Sequence, residues 1–472
     1  MRLFLVHWSK DLPELVSVGE ELTAAGHEIV YWVIDKECAL NRSRFPHTIF
    51  HDVAEARDGR GAEGVDTSCF VPPGAKLLSE LAEAESTVLT MMNKRFGSLS
   101  LAERKHFYYE LVCYWNGIMR AYTPDAIIFP LVPHTVYDYV IYALAKRAGI
   151  QTIMFTATQD VIRLLPMTDY TEGPRGIREA LERERGSRFT PADLRADMRR
   201  YVGKHLYSSP DATPHNMRNL AKYRPSGLLA ILRALLDFSI FSKIFSYLKK
   251  RFGSNLRKEY AQVSRSADLT KRFVYLPLQY QPEATTAPMA GVFVDQRLLV
   301  ETLSAALPPD WVIYVKEHPR VFAFFGLNFS PYRYRGYYAG LARLKNVRLV
   351  PAEADTFALI AASQAVALAT GTAGLEATLR KKPVLVFGYA WYRDCPGVFS
   401  VRDTESCRDA FAKIQGGLQI REDELIRYFV CVDKASFNGY LETHMKKLAG
   451  LSESENSANL TKAILAELTK KL

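Results

Sequence analysis

The sequence predicts an α/β protein with two facing Rossmann-like domains joined by a helical connector. Three observations predict this. Short apolar runs alternate with helical patterns over the first third of the chain and again after residue 270, as in parallel sheets covered by helices. Glycines such as Gly26 and Gly149 close the helical patterns, where a left-handed residue ends a helix. The 472 residues, at about 100–200 per domain, leave room for two or three cores.

Residues 2–7 read as a first strand, 12–25 as a helix stopped by Gly26, and 28–34 as a second strand. Residues 126–130 form a buried strand, 137–148 a helix ended by Gly149, and 151–156 the next strand. From 171 to about 204 the chain turns charged and helical, and Thr190-Pro191 with Asp193 marks a helix start. A second α/β unit follows, with strands at 272–278, 311–315, 347–350, 365–369 and 383–387. Helices near 294–306, 356–363 and 373–380 separate them. The tail after Ser452 reads as an exposed linker and a terminal helix. The expected division is a first domain over 1–170, a connector over 171–268, a second domain over 269–450 and the tail over 451–472. There is no internal repeat.

Hydrophobic residues make up 48% and charged residues 24% of the chain, which excludes a disordered or collagen-like protein. The six cysteines lie far apart with no CxxC, so neither a disulfide scaffold nor a structural zinc site is expected and a reducing compartment fits. The apolar run before His7 is shorter than the roughly 7–15 residues of a secretory signal, and no stretch reaches the roughly 18 of a membrane span. A cytoplasmic protein is expected.

Of the net charge of +10, the stretch 222–258 supplies eight, with nine basic residues against Asp237. So local a basicity argues against a nucleic-acid partner, which needs a basic domain face. Within it Leu228, Ile231, Leu232, Leu235 and Leu236 share one helical side, while Ile240, Phe241, Ile244, Phe245 and Leu248 share roughly the opposite one. The pattern breaks near Ser239. A surface helix docking on anionic lipid is favoured for the second half, which ends in Lys249-Lys250-Arg251; packing between domains is the alternative.

The sharpest motif is Tyr314-Val315-Lys316-Glu317-His318-Pro319-Arg320. Pro319 stops the strand and presents Lys316 and His318 at its carboxyl end, beside Arg320. A histidine donating to an anion among basic residues suits a phosphate leaving group, though a capped polar turn would look the same. The second motif, Thr370-Gly371-Thr372-Ala373-Gly374-Leu375-Glu376, runs from a strand into a helix whose free N–H groups favour an anion. It is not a P-loop. Glu376, expected in the helix's first turn, could accept from ribose hydroxyls. The third runs from Gln279 to Thr286, where Gln281, Glu283, Thr285 and Thr286 suggest a sugar or nucleotide ligand. In the first domain His134, Asp138 and Asp160 are candidates for the other side of the cleft, with Asp138 equally readable as a helix-start hydrogen bond. There is no DxD clamp and no His/Cys cluster with ligand spacing, so no metal is expected.

With these residues in view, the second half resembles the bacterial capsule-polysaccharide biosynthesis family, which includes Kdo transferases of GT-B fold. The likeness rests on 275–286 with Asp295-Gln296, on Lys316-Glu317-His318-Pro319, and on 370–377 with Lys382-Pro383-Val384 and Trp391-Tyr392. The His-Pro turn with a downstream Ser/Thr turn is also similar to the nucleotide-binding pair of bacterial sialyltransferases. That implies that His318, Thr370 and Thr372 contact the nucleotide phosphate.

The expected activity is a metal-independent glycosyltransferase of GT-B type, with no cofactor beyond its sugar-nucleotide co-substrate. CMP-Kdo is the favoured donor, and the acceptor is a glycan or lipid-linked glycan of capsule or lipopolysaccharide assembly. The protein would work as a peripheral protein at the inner face of the cytoplasmic membrane. A sugar-nucleotide epimerase on the same architecture and a non-catalytic capsule-assembly scaffold are the rivals.

Overall fold

The computed structural model describes residues 1–8, 12, 14–158, 163–207, 255–281, 283, 286–323 and 332–470. Among these, the strands form two sheets. Strands β1 (Arg2–Trp8), β2 (Glu28–Ile34), β3 (Ile49–Asp52), β4 (Ala126–Ile128), β5 (Gln151–Ala157) and β6 (Arg163–Met167) come from the first part of the chain. Strands β7 (Phe273–Pro277), β8 (Val312–Lys316), β9 (Val347–Val350), β10 (Ala365–Leu368), β11 (Val384–Val386) and β12 (Val398–Ser400) make the second sheet. A last strand, β13 (Phe437–Asn438), returns to the first sheet.

The first sheet runs β13-β6-β5-β4-β1-β2-β3 and the second β12-β11-β10-β7-β8-β9. All pairs of the second sheet are parallel. In the first, β1 to β5 pair in parallel, and β6 and β13 are antiparallel additions. Both sheets therefore reverse their winding direction once, between β1 and β4 and between β7 and β10. In open α/β sheets such a reversal leaves a crevice at the carboxyl ends of the strands, where ligands bind.

Alternation along the strands explains the layers. Leu3 and Leu5 join Trp32, Ile128 and Ile153 on one face of the first sheet, while Phe4 and Val6 join Tyr31, Ile127 and Met154 on the other. In the second sheet Phe273 and Tyr275 face one cluster and Val274 and Leu276 the other. Each sheet is buried on both faces, which is why its strands read as unbroken apolar runs. These are two Rossmann-like α/β domains, as the sequence predicts.

Some expected boundaries move. Lys316, expected in a turn, is the last residue of β8. Thr190 caps only a 3-10 turn, Pro191–Asp193, and the α-helix begins at Ala196. The connector is no separate body over its described part, because Ile177, Leu194, Met198 and Tyr201 are buried with Leu375, Tyr428 and Phe429 of the second domain. Most of the basic stretch, including the break near Ser239, lies outside the described residues.

The tail forms the expected terminal helix, and that helix packs on the first domain. Helix Glu453–Leu468 lies along helix Glu14–Ala24, with Leu460 and Ile464 fully buried beside Leu15, Val18 and Leu22. β13 already belongs to the first sheet, so the chain re-enters the first domain before the expected boundary at 450. Arg163, 1% exposed, locks this junction: it reaches Asp197 at 2.8 Å and Asp433 at 3.0 Å.

Candidate active site at the two strand reversals

In the second domain three strand ends are bolted together. After β7, Gln279 accepts from the Thr370 amide at 2.9 Å, and its own amide donates to Gln296 at 2.6 Å. After β8, Glu317 is fully buried and pairs with Arg333 at 2.7 Å. Glu317 also accepts from the Tyr338 hydroxyl at 2.7 Å and from the His318 amide at 2.8 Å. Arg333 continues to Gln281 Oε1 at 2.8 Å, which Gln296 Nε2 also meets at 2.8 Å. A buried carboxylate is tolerable only when paired and hydrogen-bonded in this way.

His318 stands on this platform. Its Nδ1 accepts from the Arg320 amide at 3.2 Å, so the neutral ring carries its proton on Nε2. Burial holds its pKa down at about 4, and the imidazole is a neutral N–H donor at pH 7. The ring lies 5.8 Å from that of Tyr280, on which Arg320 stacks at 5.0 Å. Across β7, helix Thr372–Leu379 begins with Gly371 as an N-cap that offers no side-chain bond. Among the described residues nothing accepts from the Thr372 and Ala373 amides, so they remain orphan donors of the helix start. Gly374 is required here, since a Cβ would collide with the hydroxyl of Tyr392, which itself donates to the Gly371 carbonyl.

Several candidates have other work. The Lys316 ammonium donates to the Ala354 carbonyl at 2.6 Å and to Thr356 Oγ1 at 2.8 Å, and burial lowers its pKa. It braces β8 against the neighbouring helix because the alternation of the strand turns it away from the Glu317 side. Gln281 is 3% exposed, its amide spent on the Val294 carbonyl and its oxygen on Gln296 and Arg333. Thr286, 1% exposed, closes its own turn on the Glu283 carbonyl. Glu376 is not in the first turn: the helix starts at Thr372, which places it one turn further in, buried among Tyr275, Tyr392 and Arg380. Thr370 is buried and held by Gln279, whereas Gly371 and Thr372 are half-buried at the helix mouth. Glu283 lies 3.8 Å from Arg320, and Pro319 is half-buried before the short helix Arg320–Ala323. Thr285 lies outside the described residues.

At the first domain's reversal the structure assembles a group that sequence reasoning missed. His7, near the end of β1, adopts φ 65°, and Val136, just beyond β4, φ 71°. Positive φ is strained for both residue types, and such strain collects at functional sites. His7 Nε2 accepts from Arg57 at 3.1 Å, and Nδ1 faces Tyr137 Oη at 3.2 Å, Thr135 Oγ1 at 3.5 Å and Asp138 Oδ2 at 3.8 Å. Burial lowers the His7 pKa to about 4, against the pull of Asp138. Asp138, in the first turn of its helix, accepts from the Thr135 amide ahead of it at 2.7 Å, and no hydrogen bond joins it to His134. His134 bonds the Val132 carbonyl at 2.7 Å. Asp160 lies outside the described residues. No pattern in the sequence marks the group: His7 lies within the run read as the first strand, and its partner Arg57 is fifty positions away with no motif.

The two domains are in contact. Ala287 and Met289, beyond β7, are buried in the first domain's core cluster, and Tyr389 packs its ring 5.7 Å from that of Tyr170. Tyr332 donates to the Thr90 carbonyl at 3.1 Å. Among the described residues no helix is long and apolar enough to cross a membrane.

Residues 218–413 match the family model described as "Capsule polysaccharide biosynthesis protein". No curated protein sequence matches the chain. Solved structures align over long stretches at low similarity. UDP-GlcNAc 2-epimerase from Methanocaldococcus jannaschii is 11% identical, with 92% of this chain and 99% of that one covered and a TM-score of 0.26. Thermosulfurimonas dismutans KpsC, a beta Kdo 2,7 transferase, is 11% identical over 79% of this chain and 95% of that one, TM-score 0.30. The glycosyltransferase SnogD from Streptomyces nogalater is 13% identical over 99% of each chain, TM-score 0.21. Likeness at this level carries no argument about chemistry. The resemblance read from the His-Pro and Thr-Gly-Thr turns is borne out where those turns lie: residues 218–413 carry the pattern of the capsule polysaccharide biosynthesis family.

Proposed function

We propose that this protein is a glycosyltransferase of capsule or lipopolysaccharide assembly that moves a sugar from a nucleotide donor to a glycan or lipid-linked acceptor. One observation carries the reading: a neutral N–H donor, His318 Nε2, and the uncapped amides of Thr372 and Ala373 follow β8 and β10, the strands on either side of β7. Both suit the diester of a sugar nucleotide, whose phosphate gains charge as the glycosidic bond breaks. The family match over 218–413 supports capsule chemistry. CMP-Kdo is the donor we favour, with the phosphate charge met by His318 and backbone amides and no metal required. Lys316, Gln281 and Glu317 hold the turns in register. The basic stretch 222–258, carrying eight of the ten net positive charges, would keep the enzyme at the anionic inner face of the cytoplasmic membrane.

The test is a thermal-shift series with CMP, UDP, GDP and their sugar conjugates, followed by product analysis. At about 100 times its dissociation constant a ligand adds roughly 2.7 kcal/mol of stability. Selective stabilisation by CMP supports the Kdo-type donor. Stabilisation by UDP or GDP replaces it, conversion of free sugar nucleotide without an acceptor makes the protein an epimerase, and no stabilisation by any refutes the enzyme.

A further inference from the structure

We propose that a basic groove at the amino end of β9 is a second binding site, which takes the carboxylates of an acidic glycan. The choice of ligand rests on the transferase reading, since each Kdo residue transferred brings one carboxylate to the product chain.

The groove encloses about 470 Å³, within the roughly 300–1,000 Å³ of ligand sites. Three cations, Arg343, Lys345 and Arg348, line it together with Val263, Leu344 and Leu349. β9 is the edge strand of the second sheet among the described residues, so its outer side is open to a ligand. A fourth cation comes from the segment alongside. Ser264 bridges to Leu349, and the Arg265 amide donates to the Leu349 carbonyl at 2.9 Å.

All four cations are exposed, and among the described residues none of them has a carboxylate partner. The two outer arginines are held in place by the backbone. Arg348 Nη1 donates to the Lys345 and Val347 carbonyls, both at 2.7 Å. Arg265 Nη1 donates to the Gln262 and Ser264 carbonyls at 2.9 and 2.7 Å. Among the described residues nothing accepts from Nε or Nη2 of either one. A guanidinium fixed through one nitrogen presents the others as a fork matched to a carboxylate. The acids of the neighbouring segments are engaged elsewhere. Asp268, whose amide and carbonyl meet the Tyr314 hydroxyl one strand over from Arg348, accepts from the Thr270 amide at 3.1 Å and hydroxyl at 2.6 Å. Glu259, on helix Leu256–Val263, accepts from the Gly336 and Tyr338 amides, both at 3.0 Å.

Position separates this groove from the donor site. Arg348 pairs with Tyr314 in the β8–β9 register, and His318 lies four residues beyond Tyr314 toward the carboxyl end. At about 3.3 Å per strand residue that is roughly 13 Å, too far for one phosphate to meet both. Shape favours a glycan over a bilayer, whose headgroups lie in a plane while this site is concave. Val263 and Leu344 are half-buried on its wall and suit the C–H faces of sugar rings, with the cations left for the acid groups.

The experiment follows fluorescence anisotropy of a labelled oligogalacturonate, a chain with one carboxylate per sugar, on the full-length protein. Dextran is the neutral comparator, and vesicles of equimolar phosphatidylcholine and phosphatidylglycerol test the membrane. The variant is the triple Arg343→Gln, Lys345→Gln, Arg348→Gln. Because Arg348 also holds two carbonyls, the double Arg343→Gln, Lys345→Gln provides a second test that leaves those bonds intact. Arg183→Gln, Arg185→Gln, Arg188→Gln removes the same charge from another exposed segment. Expected are binding of oligogalacturonate and not dextran, weakening with salt, and a loss of about tenfold or more in the triple. The double should lose part of that, and Arg348→Lys should weaken binding although it keeps the charge. CMP stabilisation should be unchanged throughout, and the Arg183 triple should bind as wild type. Equal losses in both triples make the effect one of net charge and overturn the site. Loss of vesicle binding alone makes the groove a membrane surface and overturns it too. Unchanged oligogalacturonate binding in the groove variants of a chain that turns over CMP-Kdo removes the groove and leaves the transferase. The reverse pattern, glycan binding lost in the triple of a chain that turns over no nucleotide sugar, keeps the groove and removes the transferase.

Discussion

Replacing Arg333 by methionine keeps most of its packing volume and removes its charge. Glu317, fully buried, then loses contacts at 2.7 and 3.3 Å, and Gln281 Oε1 loses one of its two donors, at 2.8 Å. What remains to the carboxylate is the Tyr338 hydroxyl and the His318 amide. Leaving one member of a buried pair uncompensated costs about 3–5 kcal/mol. For a domain of this size that lowers the melting temperature by about 6–20 °C. Adding Glu317→Gln to Arg333→Met removes the stranded charge, so the double variant should melt higher than Arg333→Met alone. Circular dichroism melts of wild type, both singles and the double form the cycle. An Arg333→Met protein within about 1 kcal/mol of wild type, or a double variant no more stable than that single one, would refute the reasoning.

His318→Ala should lower turnover by roughly 10²–10³-fold without changing the melting temperature by more than a few degrees; unchanged turnover removes His318 from the leaving-group site. Lys316→Met should cost stability of about 1–3 kcal/mol and spare CMP binding, and lost CMP stabilisation in a folded variant would contradict its bracing role. Gly374→Ala should destabilise by about 1–3 kcal/mol through crowding of Tyr392, read by denaturant titration. His7, His51, His205 and His318 are all held near 4 against 6.5 unfolded. Between those values the unfolded chain binds more protons, so stability is full above about pH 6.5 and declines as pH falls toward 4. Urea midpoints at pH 5 and 7 should differ in that sense, and equal midpoints would count against it.

The central strands were legible because they pair in parallel and are buried on both faces, so each announces itself as an apolar run; β3, β6 and β12 were not read from the sequence. Within the second domain, Pro319 and the glycines of the 370–374 turn mark strand ends, and the turns they mark do meet the reversal. Roles inside those turns were harder to read. Glu317 and His318 are adjacent, yet alternation sends the first into the core and leaves the second half-exposed; only Arg333, after a stretch without periodicity, explains the buried carboxylate. Glu376 shifted because the helix begins at Thr372, too small a displacement for pattern alone to detect. His7 passed as strand because β1 includes it, and neither its left-handed backbone nor Arg57 leaves a local trace. β13, two residues long, is below any periodic signal.

The return of the chain through β13 and helix Glu453–Leu468 has a bearing on synthesis. The second sheet is assembled from one continuous stretch and can close while translation proceeds. The first cannot: Leu15, Val18 and Leu22 wait for Leu460 and Ile464, and β6 waits for Phe437. The first domain begins first and finishes last, its apolar flank uncovered while the second domain emerges. Emergence of helix Glu453–Leu468 is therefore the event that covers that flank.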